Sequence, residues 1–332
     1  MDLTAAKTCI ETIELTVGYA RRGEFNSLLE NLNLQLKAGE LVCFMGQNGI
    51  GKSTLIRTLA GLQAPLAGEV KFNGETEPDG VDFDLPHHLA VVLTDRITAV
   101  NMTVKDVVTF GRYPYMNWDV KLHPKDHEII HQVLEEIRIS HLKNKRLHEL
   151  SDGQLQMVMI ARAVVQDTPI ILLDEPTAHL DLNNRLEIMN LLRKLAHQSK
   201  KAILVSTHEL DLALQTADLI WLAGQDKKII SGIPEDLVLN GSFDSIFQFK
   251  GFDLKTGKLQ HEAHRGINIQ LTGTGYEYLW TKNAFERNGF FVTENEGTHT
   301  VHIEQDEKYI QWILDNELKF SSLQQLFHHL IF

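Results

Sequence analysis

Cysteine is scarce in this sequence, and long apolar runs are lacking. Only Cys9 and Cys43 occur among 332 residues, and they form no C-x-x-C pair, which argues against a disulfide framework or a structural zinc site and favours a reducing compartment. No run reaches the roughly 18 apolar residues of a membrane span, and the first residues lack the charged-then-apolar pattern of a secretory signal. We therefore expect a soluble, cytoplasmic chain.

Positive charge is also in deficit. The sequence carries 32 Lys and Arg against 44 Asp and Glu, which gives a formal net charge of -12. Binding to a nucleic-acid backbone requires clustered Lys and Arg that displace counterions, so this balance argues against a nucleic-acid partner. Hydrophobic residues make up 43% and charged residues 23%, which is typical of a globular chain. The length predicts two domains, because single domains usually span about 100 to 200 residues.

A glycine-rich segment, GQNGIGKST (46–54), follows the apolar run LVCFM (41–45) and precedes a helical pattern. It fits G-x-x-x-x-G-K-[ST], the phosphate-binding loop, in the strand–loop–helix context that this loop requires. Glycines let backbone N–H groups point at phosphate oxygens, Lys52 reaches the outer phosphates, and the Ser53 hydroxyl can ligate Mg²⁺. A glycine-rich turn without a ligand is the alternative, which the context disfavours. The predicted nucleotide-binding residues are Gly46, Gln47, Asn48, Gly49, Ile50, Gly51, Lys52, Ser53 and Thr54.

Two acids end the apolar run in PIILLDEP (169–176). Five nonpolar residues in succession predict a strand buried on both faces of a parallel sheet, and such strands present functional groups at their carboxyl ends. We expect Asp174 to hold Mg²⁺, directly or through water, and Glu175 to act as the general base that polarises the attacking water. A solvated strand end is the alternative, and a phosphate-binding loop in the same chain weighs against it.

A further apolar run, AILVST (202–207), delivers His208 to the same edge of the sheet. Its imidazole can bond the γ-phosphate, although a histidine after a strand is by itself more often structural than catalytic. The sequence therefore predicts a catalytic group that consists of Lys52, Glu175 and His208.

The stretch LSDGQ (150–154), here called the signature segment, precedes the helical pattern QMVMIARAVV (156–165). Ser151 and Asp152 suit a helix start, because their oxygens can accept bonds from N–H groups that the helix leaves unpaired. A helix start is also an anion site, since its free N–H groups and the positive end of its dipole point the same way. The residues of this segment alone leave both interpretations open.

Five motifs together resemble the ATP-binding subunits of ABC transporters. GQNGIGKS, LSDGQ, IILLDE, AHLD (178–181) and STHE (206–209) follow the order of that family, and an LSxGQ-type stretch upstream of the acids is its mark. The resemblance covers about residues 10 to 247. It implies an α/β fold: a P-loop NTPase cassette in residues 1–250, with a mixed sheet, antiparallel edge strands and a helical subdomain at about 96–166. The alternating runs IELTV (13–17) and LENLNLQL (29–36) by themselves predict antiparallel edge strands.

The resemblance also implies ATP and Mg²⁺ as cofactors and a second copy of the chain as partner. In this family two cassettes pack head to tail, and each ATP lies between the phosphate-binding loop of one and the signature helix of the other. Ser151, Gly153 and Gln154 would then face a γ-phosphate held by the neighbouring copy, and Asp181 would communicate across the interface. Tyr19 lies where the family places an aromatic ring that stacks on adenine.

Three positions depart from the family pattern. Asp95 lies where a glutamine usually touches the metal; a carboxylate can ligate Mg²⁺ but adds negative charge beside the triphosphate and lacks the amide donor. Asp152 stands where glycine is commonest, and it could cap the helix or repel the neighbour's phosphates. His179 occupies a position that is often a small residue, and the sequence offers no physical account of it.

The segment NMTVKDVVTFGRYPYMNW (101–118) resembles the ATPases of importers for ferric siderophores, haem and cobalamin, although Gly and Pro also end helices regardless of function. The resemblance implies a separate permease with Arg112 and Tyr113 near its docking cleft, a periplasmic or surface binding protein that acts through the permease, and a peripheral location at the cytoplasmic face of the inner (plasma) membrane. The alternative is a soluble ABC ATPase in cofactor assembly or nucleic-acid processing. The single cassette, the acidic chain and the GRYPY segment weigh against it.

Residues 254–332 lie beyond the cassette and predict a small α+β domain. INIQLTG (267–273) has the pattern of a strand, YEYLWTKNAFERNG (276–289) of a helix, FFVTEN and TVHIEQ of a hairpin, and SSLQQLFHHLI of a capped helix. We expect GTG (273–275) to be a tight turn rather than a second nucleotide site, and HEAH (261–264) a solvated surface rather than a metal site. A regulatory role for this domain, as a sensor of metal or cargo, is a hypothesis.

Overall fold

The computed structural model of the chain describes residues 7–21, 24–73, 75–76, 84–94, 101–116, 118, 121–249, 251–255, 257–259, 261–306 and 309–331. The chain divides into two compact units, Met1–Gln248 and Phe249–Phe332. Each unit has a buried apolar core of its own.

The first unit combines strands and helices. In chain order its strands are β1 (Thr8–Arg21), β2 (Glu24–Leu32), β3 (Gln35–Lys37), β4 (Leu41–Gly46), β5 (Ala67–Phe72), β6 (Glu75–Thr76), β7 (Leu89–Val92), β8 (Ile170–Asp174), β9 (Ala202–Ser206), β10 (Leu219–Ala223) and β11 (Ile229–Gly232). Its helices are α1 (Lys52–Leu59), α2 (Leu85–His88), α3 (Val104–Thr109), α4 (Pro124–Glu136), α5 (Asp152–Val165), α6 (Leu182–Ser199), α7 (Leu210–Thr216), α8 (Pro234–Leu239) and α9 (Ser242–Phe247), with 3-10 turns at Phe110–Tyr115, Ser140–Leu142 and Leu147–Glu149. Within the described part of the chain, no helix combines the length and the apolar composition needed to span a membrane.

The larger sheet of the first unit determines where the motifs meet. Among the described residues its strand order is β11-β10-β4-β9-β8-β7, in which β11 pairs antiparallel at one edge and the other pairs are parallel. Strands β4, β8 and β9 are buried along their whole length, as their apolar runs predict. Because parallel strands end at the same edge of a sheet, the chain delivers Gly46, Asp174 and Ser206 to one place.

The amino-terminal strands differ from the prediction in two ways. β1 pairs antiparallel with β2, β3 and β5, so it lies inside a second sheet rather than at an edge. The run LENLNLQL was expected to form one strand, but β2 ends at Leu32 and β3 begins at Gln35. Asn31, one residue before the end of β2, has a φ of 53°, which is outside the β region. Beyond the break, the Thr12 hydroxyl accepts a hydrogen bond from the Leu34 N–H. Alternation cannot indicate this break, because both pieces keep the same period.

A helical subdomain follows β7 and contains a buried ion pair. Arg112 is 5% exposed and Asp126 is 3% exposed, and Nε of Arg112 donates to Oδ1 of Asp126 at 2.8 Å. Burial alone would raise the pKa of Asp126, but the His123 N–H and the Arg112 guanidinium outweigh burial and hold this pKa below its ordinary value. Of the two residues expected near the docking cleft, Arg112 is therefore buried in this ion pair, whereas Tyr113 is exposed.

The second unit is a layer of helices on a sheet. Its elements are β12 (Phe252–Asp253), β13 (Lys258–Leu259), β14 (Asn268–Thr272), α10 (Gly275–Arg287), β15 (Phe291–Thr293), β16 (His299–Asp306), β17 (Tyr309–Leu314), β18 (Leu318–Phe320) and α11 (Leu323–Ile331). Phe285 of α10 and Leu326 of α11 pack on the sheet residues Ile269 and Val301 in one core. Residues 261–264 are exposed and belong to no helix or strand.

The predicted hairpin in the second unit is wrong. FFVTEN and TVHIEQ contribute β15 and β16, but both strands pair parallel with β14, on opposite sides of it, in the order β15-β14-β16-β17-β18. The connection crosses the start of β14, where Thr298 N donates to Asn268 O at 2.7 Å. Gly297 permits this crossing, because a Cβ there would lie 2.4 Å from the Gln270 nitrogen. The short connection between two alternating runs predicted a hairpin. Sequence periodicity does not reveal that Gly297 passes close to the backbone of β14.

The buried ion pair predicts a destabilising substitution. Asp126→Asn removes the charge that compensates the buried Arg112, so we expect the free energy of unfolding at neutral pH to fall by about 3 kcal/mol or more. A carboxylate whose pKa is lowered on folding contributes stability above its unfolded pKa and loses it as the pH falls through the folded pKa. Denaturant titrations of the two proteins should therefore differ at neutral pH and converge in acid. Asp211→Asn, at an exposed aspartate, is the control; an offset that stays constant into acid would contradict the assignment.

Candidate nucleotide-binding site

The phosphate loop (46–54) joins the end of β4 to the start of α1. Gly49 and Gly51 have φ values of 80° and 115°, in the region that favours glycine, and Gly51 directly precedes the first residue of α1. The free N–H groups at the start of α1 therefore face the loop, as an anion site requires. Lys52 is 6% exposed, and its Nζ donates to the Gly46 carbonyl at 3.1 Å, so its charge is held over the loop.

An aromatic ring lies beside this loop. The Tyr19 hydroxyl is 2.9 Å from the Thr54 hydroxyl, and the Tyr19 side chain is 53% exposed. Ser53 is exposed in the first turn of α1, whereas Thr54 is buried. A ring with an open face at this point can stack on a nucleobase while the loop holds phosphates.

Asp174, at the end of β8, is buried, and each of its carboxylate oxygens accepts a hydrogen bond. Asp174 is 3% exposed, and it accepts hydrogen bonds from the Ser206 hydroxyl at 2.6 Å and the Thr94 hydroxyl at 3.2 Å. Both donors come from neighbouring strands of the sheet, β9 and the residues that follow β7. The two hydroxyl donors hold the carboxylate in place, and a carboxylate oxygen is a ligand type that Mg²⁺ prefers.

Glu175 forms the centre of the predicted catalytic group. Its N–H bonds the Ser206 hydroxyl at 2.9 Å, and its φ of 48° turns the chain sharply at the end of β8. One carboxylate oxygen is 3.7 Å from Lys52 Nζ, and the other is 3.1 Å from His208 Nδ1. The structure thus places Glu175 between Lys52 and His208, with one carboxylate oxygen toward each. The second ring nitrogen of His208 lies 3.6 Å from a carboxylate oxygen of Glu209, which Arg185 of α6 binds.

The signature segment starts α5. The Ser151 hydroxyl accepts a hydrogen bond from Gln154 N at 3.3 Å, and the Gln154 side chain accepts one from Ser151 N at 3.2 Å, which is a capping box. Ser151 and Asp152 are exposed. The interpretation of this segment as a helix cap is therefore satisfied within the chain. A cap satisfies only one of the free N–H groups in a first turn, so the helix start keeps a capacity to bind an anion.

Two helix starts lie against each other. Gly153 is buried, and a Cβ there would lie 2.7 Å from Cγ of Asn184 in the first turn of α6. Asp181 caps α6 by accepting the Asn184 N–H at 2.9 Å, and it also accepts the Asn184 side-chain amide at 2.9 Å. The first turns of α5 and α6 are thereby held side by side through one asparagine.

The remaining predicted site residues fall in three groups. Among the described residues, no hydrogen bond or ion pair joins residues 151–154 to residues 46–54. Asp95 lies outside the described residues. His179 is exposed with a φ of 64°, and it lines a cleft of about 80 Å³ with Asp152, between α5 and the end of β8.

Two contacts of Asp174 were missed by the sequence reasoning. Ser206 and Thr94 were both available as polar residues at the ends of otherwise apolar strands, and that position is the signal that could have found them. The motif STHE (206–209) contains Ser206 but assigns it no role, and none of the five motifs contains Thr94, because the partner of both hydroxyls lies on another strand. Among the described residues, no group of three or more His, Cys, Asp or Glu side chains could hold a metal by itself.

Comparison with known proteins identifies the family. The model of the ABC transporter family matches residues 29–178. An ABC transporter ATP-binding protein of Methanocaldococcus jannaschii is 37% identical over 286 residues, which cover 83% of this chain and 97% of that protein. This chain is an ABC transporter ATP-binding protein. Proteins of this family hydrolyse ATP, and the chain is therefore an ATPase.

Other similarities extend over both units of this ABC ATPase. Its residues 266–330 match the iron ABC transporter C-terminal domain. The petrobactin import ATP-binding protein of Bacillus anthracis is 36% identical over 230 residues, or 69% of this chain and 82% of that protein. A solved dimeric structure of a bacterial ABC transporter cassette superposes with a TM-score of 0.60 at 28% identity, over 68% of this chain and 98% of the other.

The hydroxyl of Ser206 predicts a catalytic defect in this ABC ATPase. Ser206→Ala removes the donor to Asp174 and a bond to the Glu175 N–H, so we expect kcat for ATP hydrolysis to fall about tenfold or more, from one lost hydrogen bond to a charged group. Steady-state phosphate release measures this change, and thermal unfolding checks that the fold persists. Ser231→Ala, on the exposed strand β11, is the matched control. A folded Ser206→Ala protein with unaltered kcat would show that these bonds do not position the acids.

Proposed function

We propose that this ABC ATPase is the motor of an importer for an iron chelate of the siderophore type, and that it works as a pair of chains on a separate membrane permease. The observation that carries the proposal is that one chain joins an ABC transporter cassette to an iron ABC transporter C-terminal domain. The similarity to the petrobactin import protein supports the direction of transport and the class of cargo. The match of the second unit to an iron transporter domain favours an iron cargo over cobalamin, and the petrobactin relative favours a ferric siderophore over haem.

The residues fit ATP and Mg²⁺ as cofactors. Residues Gly46 to Thr54 would hold the phosphates and Tyr19 the adenine, while the Ser53 hydroxyl and the Asp174 carboxylate are ligand types that Mg²⁺ prefers. Asp95 stays a predicted third ligand of the metal. ATP supplies the phosphoanhydride bond whose hydrolysis releases free energy for transport. Lys52, held over the loop at 3.1 Å from Gly46 O, compensates negative charge on the outer phosphates.

The proposed chemistry uses Glu175 and the two residues that contact it, Lys52 and His208. Glu175 accepts a proton from the attacking water, whose oxygen forms the new bond to the γ-phosphorus as the bond to the leaving phosphate oxygen breaks. His208 contacts Glu175 at 3.1 Å and can hold a γ-phosphate oxygen at the same time. Lys52 lies 3.7 Å from the other oxygen of Glu175, so the base and the phosphate ligands position each other.

The signature segment supports a site shared between two copies. Ser151 is exposed at the start of α5, and the buried Gly153 and the half-buried Gln154 follow it in the first turn. A helix N-terminus favours an anion, and we propose that the γ-phosphate bound by a second copy is this anion. Asp181 caps the adjacent helix start and would communicate across the same interface. The dimeric structure of a similar cassette supports this arrangement.

A groove in the helical subdomain is the proposed permease site. It encloses about 630 Å³ and is lined mainly by apolar side chains, among them Met102, Phe110, Tyr113, Met116 and Leu122. Phe110 and Tyr113 are 48% and 63% exposed. Exposed aromatic groups at a concave surface are typical of interaction sites, and an apolar segment of a permease fits this lining.

The 3-10 helix Phe110–Tyr115 has two functional faces. Because side chains three apart eclipse in a 3-10 helix, Phe110, Tyr113 and Met116 line the groove together. The opposite side is fastened to the end of α5: Arg112 donates to Val165 O at 3.0 Å, and the Tyr115 hydroxyl donates to Gln166 O at 3.0 Å. A partner in the groove would therefore act on the helix that begins at the signature segment.

This arrangement implies a peripheral location at the cytoplasmic face of the inner (plasma) membrane, held by the permease. A periplasmic or surface binding protein would deliver cargo to the permease and would not meet this chain. The cargo would influence ATP hydrolysis only through the groove.

Replacing the base tests the shared site. Glu175→Gln keeps the shape and the phosphate contacts but cannot accept the proton, so we expect kcat to fall about a hundredfold or more. Bound MgATP should then persist and convert the protein into a dimer, as measured by analytical ultracentrifugation. Adding Ser151→Glu, a charge at the signature segment, should prevent the dimer, whereas adding Ser231→Glu should not. A Glu175→Gln protein that stays monomeric at saturating MgATP would rule out the shared site.

The groove predicts a separation of coupling from hydrolysis. Tyr113→Ala and Phe110→Ala remove apolar surface from the groove without touching the phosphate loop, so basal ATPase activity should persist. Copurification with a coexpressed siderophore permease, and stimulation of ATPase activity by that permease, should both be lost. Tyr276→Ala, at an exposed tyrosine of the second unit, is the control. Normal copurification of the Tyr113→Ala and Phe110→Ala proteins would exclude the groove as the docking site.

A further inference from the structure

The side chain of Gln47 forms hydrogen bonds with residues outside the phosphate loop. Its Nε2 donates to the Ile246 carbonyl at 2.8 Å, and its Oε1 accepts from the Gln225 side chain at 3.2 Å. Both ends of the amide are therefore used. The bonds join the phosphate loop to α9 and to the turn between β10 and β11.

The loop needs external support at this point. Gly49 and Gly51 have positive φ values, and glycine has more conformational freedom to lose on ordering than any other residue. Inside the loop, Ile50 N donates to Gln47 O at 3.2 Å and Lys52 Nζ donates to Gly46 O. The amide of Gln47 adds the ties that fix these internal bonds to the surrounding fold.

The carbonyl that Gln47 binds lies near the end of α9, a helix with buried side chains. Phe243 and Ile246 of α9 are buried, and Phe243 stacks with Phe247. The last carbonyls of a helix have no partner in the next turn, so the Ile246 carbonyl is open to a side-chain donor. The helix ends at Gln248, whose φ is 49°, and the second unit begins at Phe249.

We propose that Gln47 is a positioning residue that links ATP affinity to the end of α9, and through it to the attachment of the second unit. The inference rests on the proposed binding of ATP by the phosphate loop. A tether that orders the loop before ATP binds lowers the entropic cost of binding. Coupling between two sites is reciprocal. If a restraint on α9 changes the affinity of the phosphate loop for ATP by some factor, bound ATP changes the equilibrium of that restraint by the same factor.

The first test removes the tether in the full chain. Gln47→Met keeps the length of the side chain and abolishes both bonds, so we expect the Kd of a fluorescent N-methylanthraniloyl ATP to rise about three- to tenfold. The Kd should change by a larger factor than kcat at saturating ATP, because ordering the loop affects binding before the chemical step. Gln225→Met, which removes one of the two bonds, should give a smaller rise. Gln35→Met, whose side chain bonds Glu11 outside the loop, is the control.

The second test asks whether the tether transmits a restraint from the second unit. Insertion of two glycines between Gln248 and Phe249 loosens the attachment, and it should raise the Kd in the wild-type background but not in the Gln47→Met background. An equal effect of the insertion in both backgrounds, or in neither, would overturn the coupling. An unchanged Kd for Gln47→Met would overturn the positioning role. A wild-type protein that fails to bind the nucleotide would instead refute the proposed function.

Discussion

A carboxylate buried at the end of an apolar strand is the constraint on which the rest of the cassette depends. Asp174 is removed from water. A buried charge without partners costs several kcal/mol, which is comparable with the whole free energy of unfolding of a domain. The hydroxyls of Ser206 and Thr94 satisfy it only if β7, β8 and β9 end at the same level. Glu175 inherits its position from this arrangement, because Ser206 also bonds its N–H. Satisfying the buried charge of Asp174 thus fixes the edge of the sheet at which the predicted catalytic group lies.

Three helix starts share one physical property but differ in use. The start of α1 faces the phosphate loop of its own chain, whereas the starts of α5 and α6 are capped by Ser151 and Asp181 and lie side by side at the surface. A capping side chain satisfies one of the several free N–H groups in a first turn, so the caps stabilise the monomer without removing the capacity to bind an anion. Asp152 fits this view as an exposed first-turn acid, which the helix dipole favours.

The parts of the fold that follow from local rules were predictable from the sequence. The strand–loop–helix at residues 41–62 and the acids after β8 each lie within one short segment, where apolar runs and glycines have direct meanings. Contacts between distant segments were not predictable. Ser206 bonds Asp174 from the neighbouring strand, and Gln47 bonds Ile246, which lies 199 positions away in the sequence. Gly297 passes close to the backbone of β14, where a hairpin was expected. The burial of Arg112 was not predictable for the same reason, because its partner Asp126 is positioned by the packing of α4.

Helix α5 joins the two proposed sites of action by its rigidity. Its 14 residues span about 21 Å at the rise of an α-helix, and residues such as Val158, Ile160 and Ala161 bury its length in the core. The signature segment occupies its first turn, and the 3-10 helix that lines the groove is bonded to its last carbonyls. A packed helix moves as a body rather than deforming. Displacement of the groove therefore requires displacement of Ser151, and no chain of switching side chains between the two ends is needed.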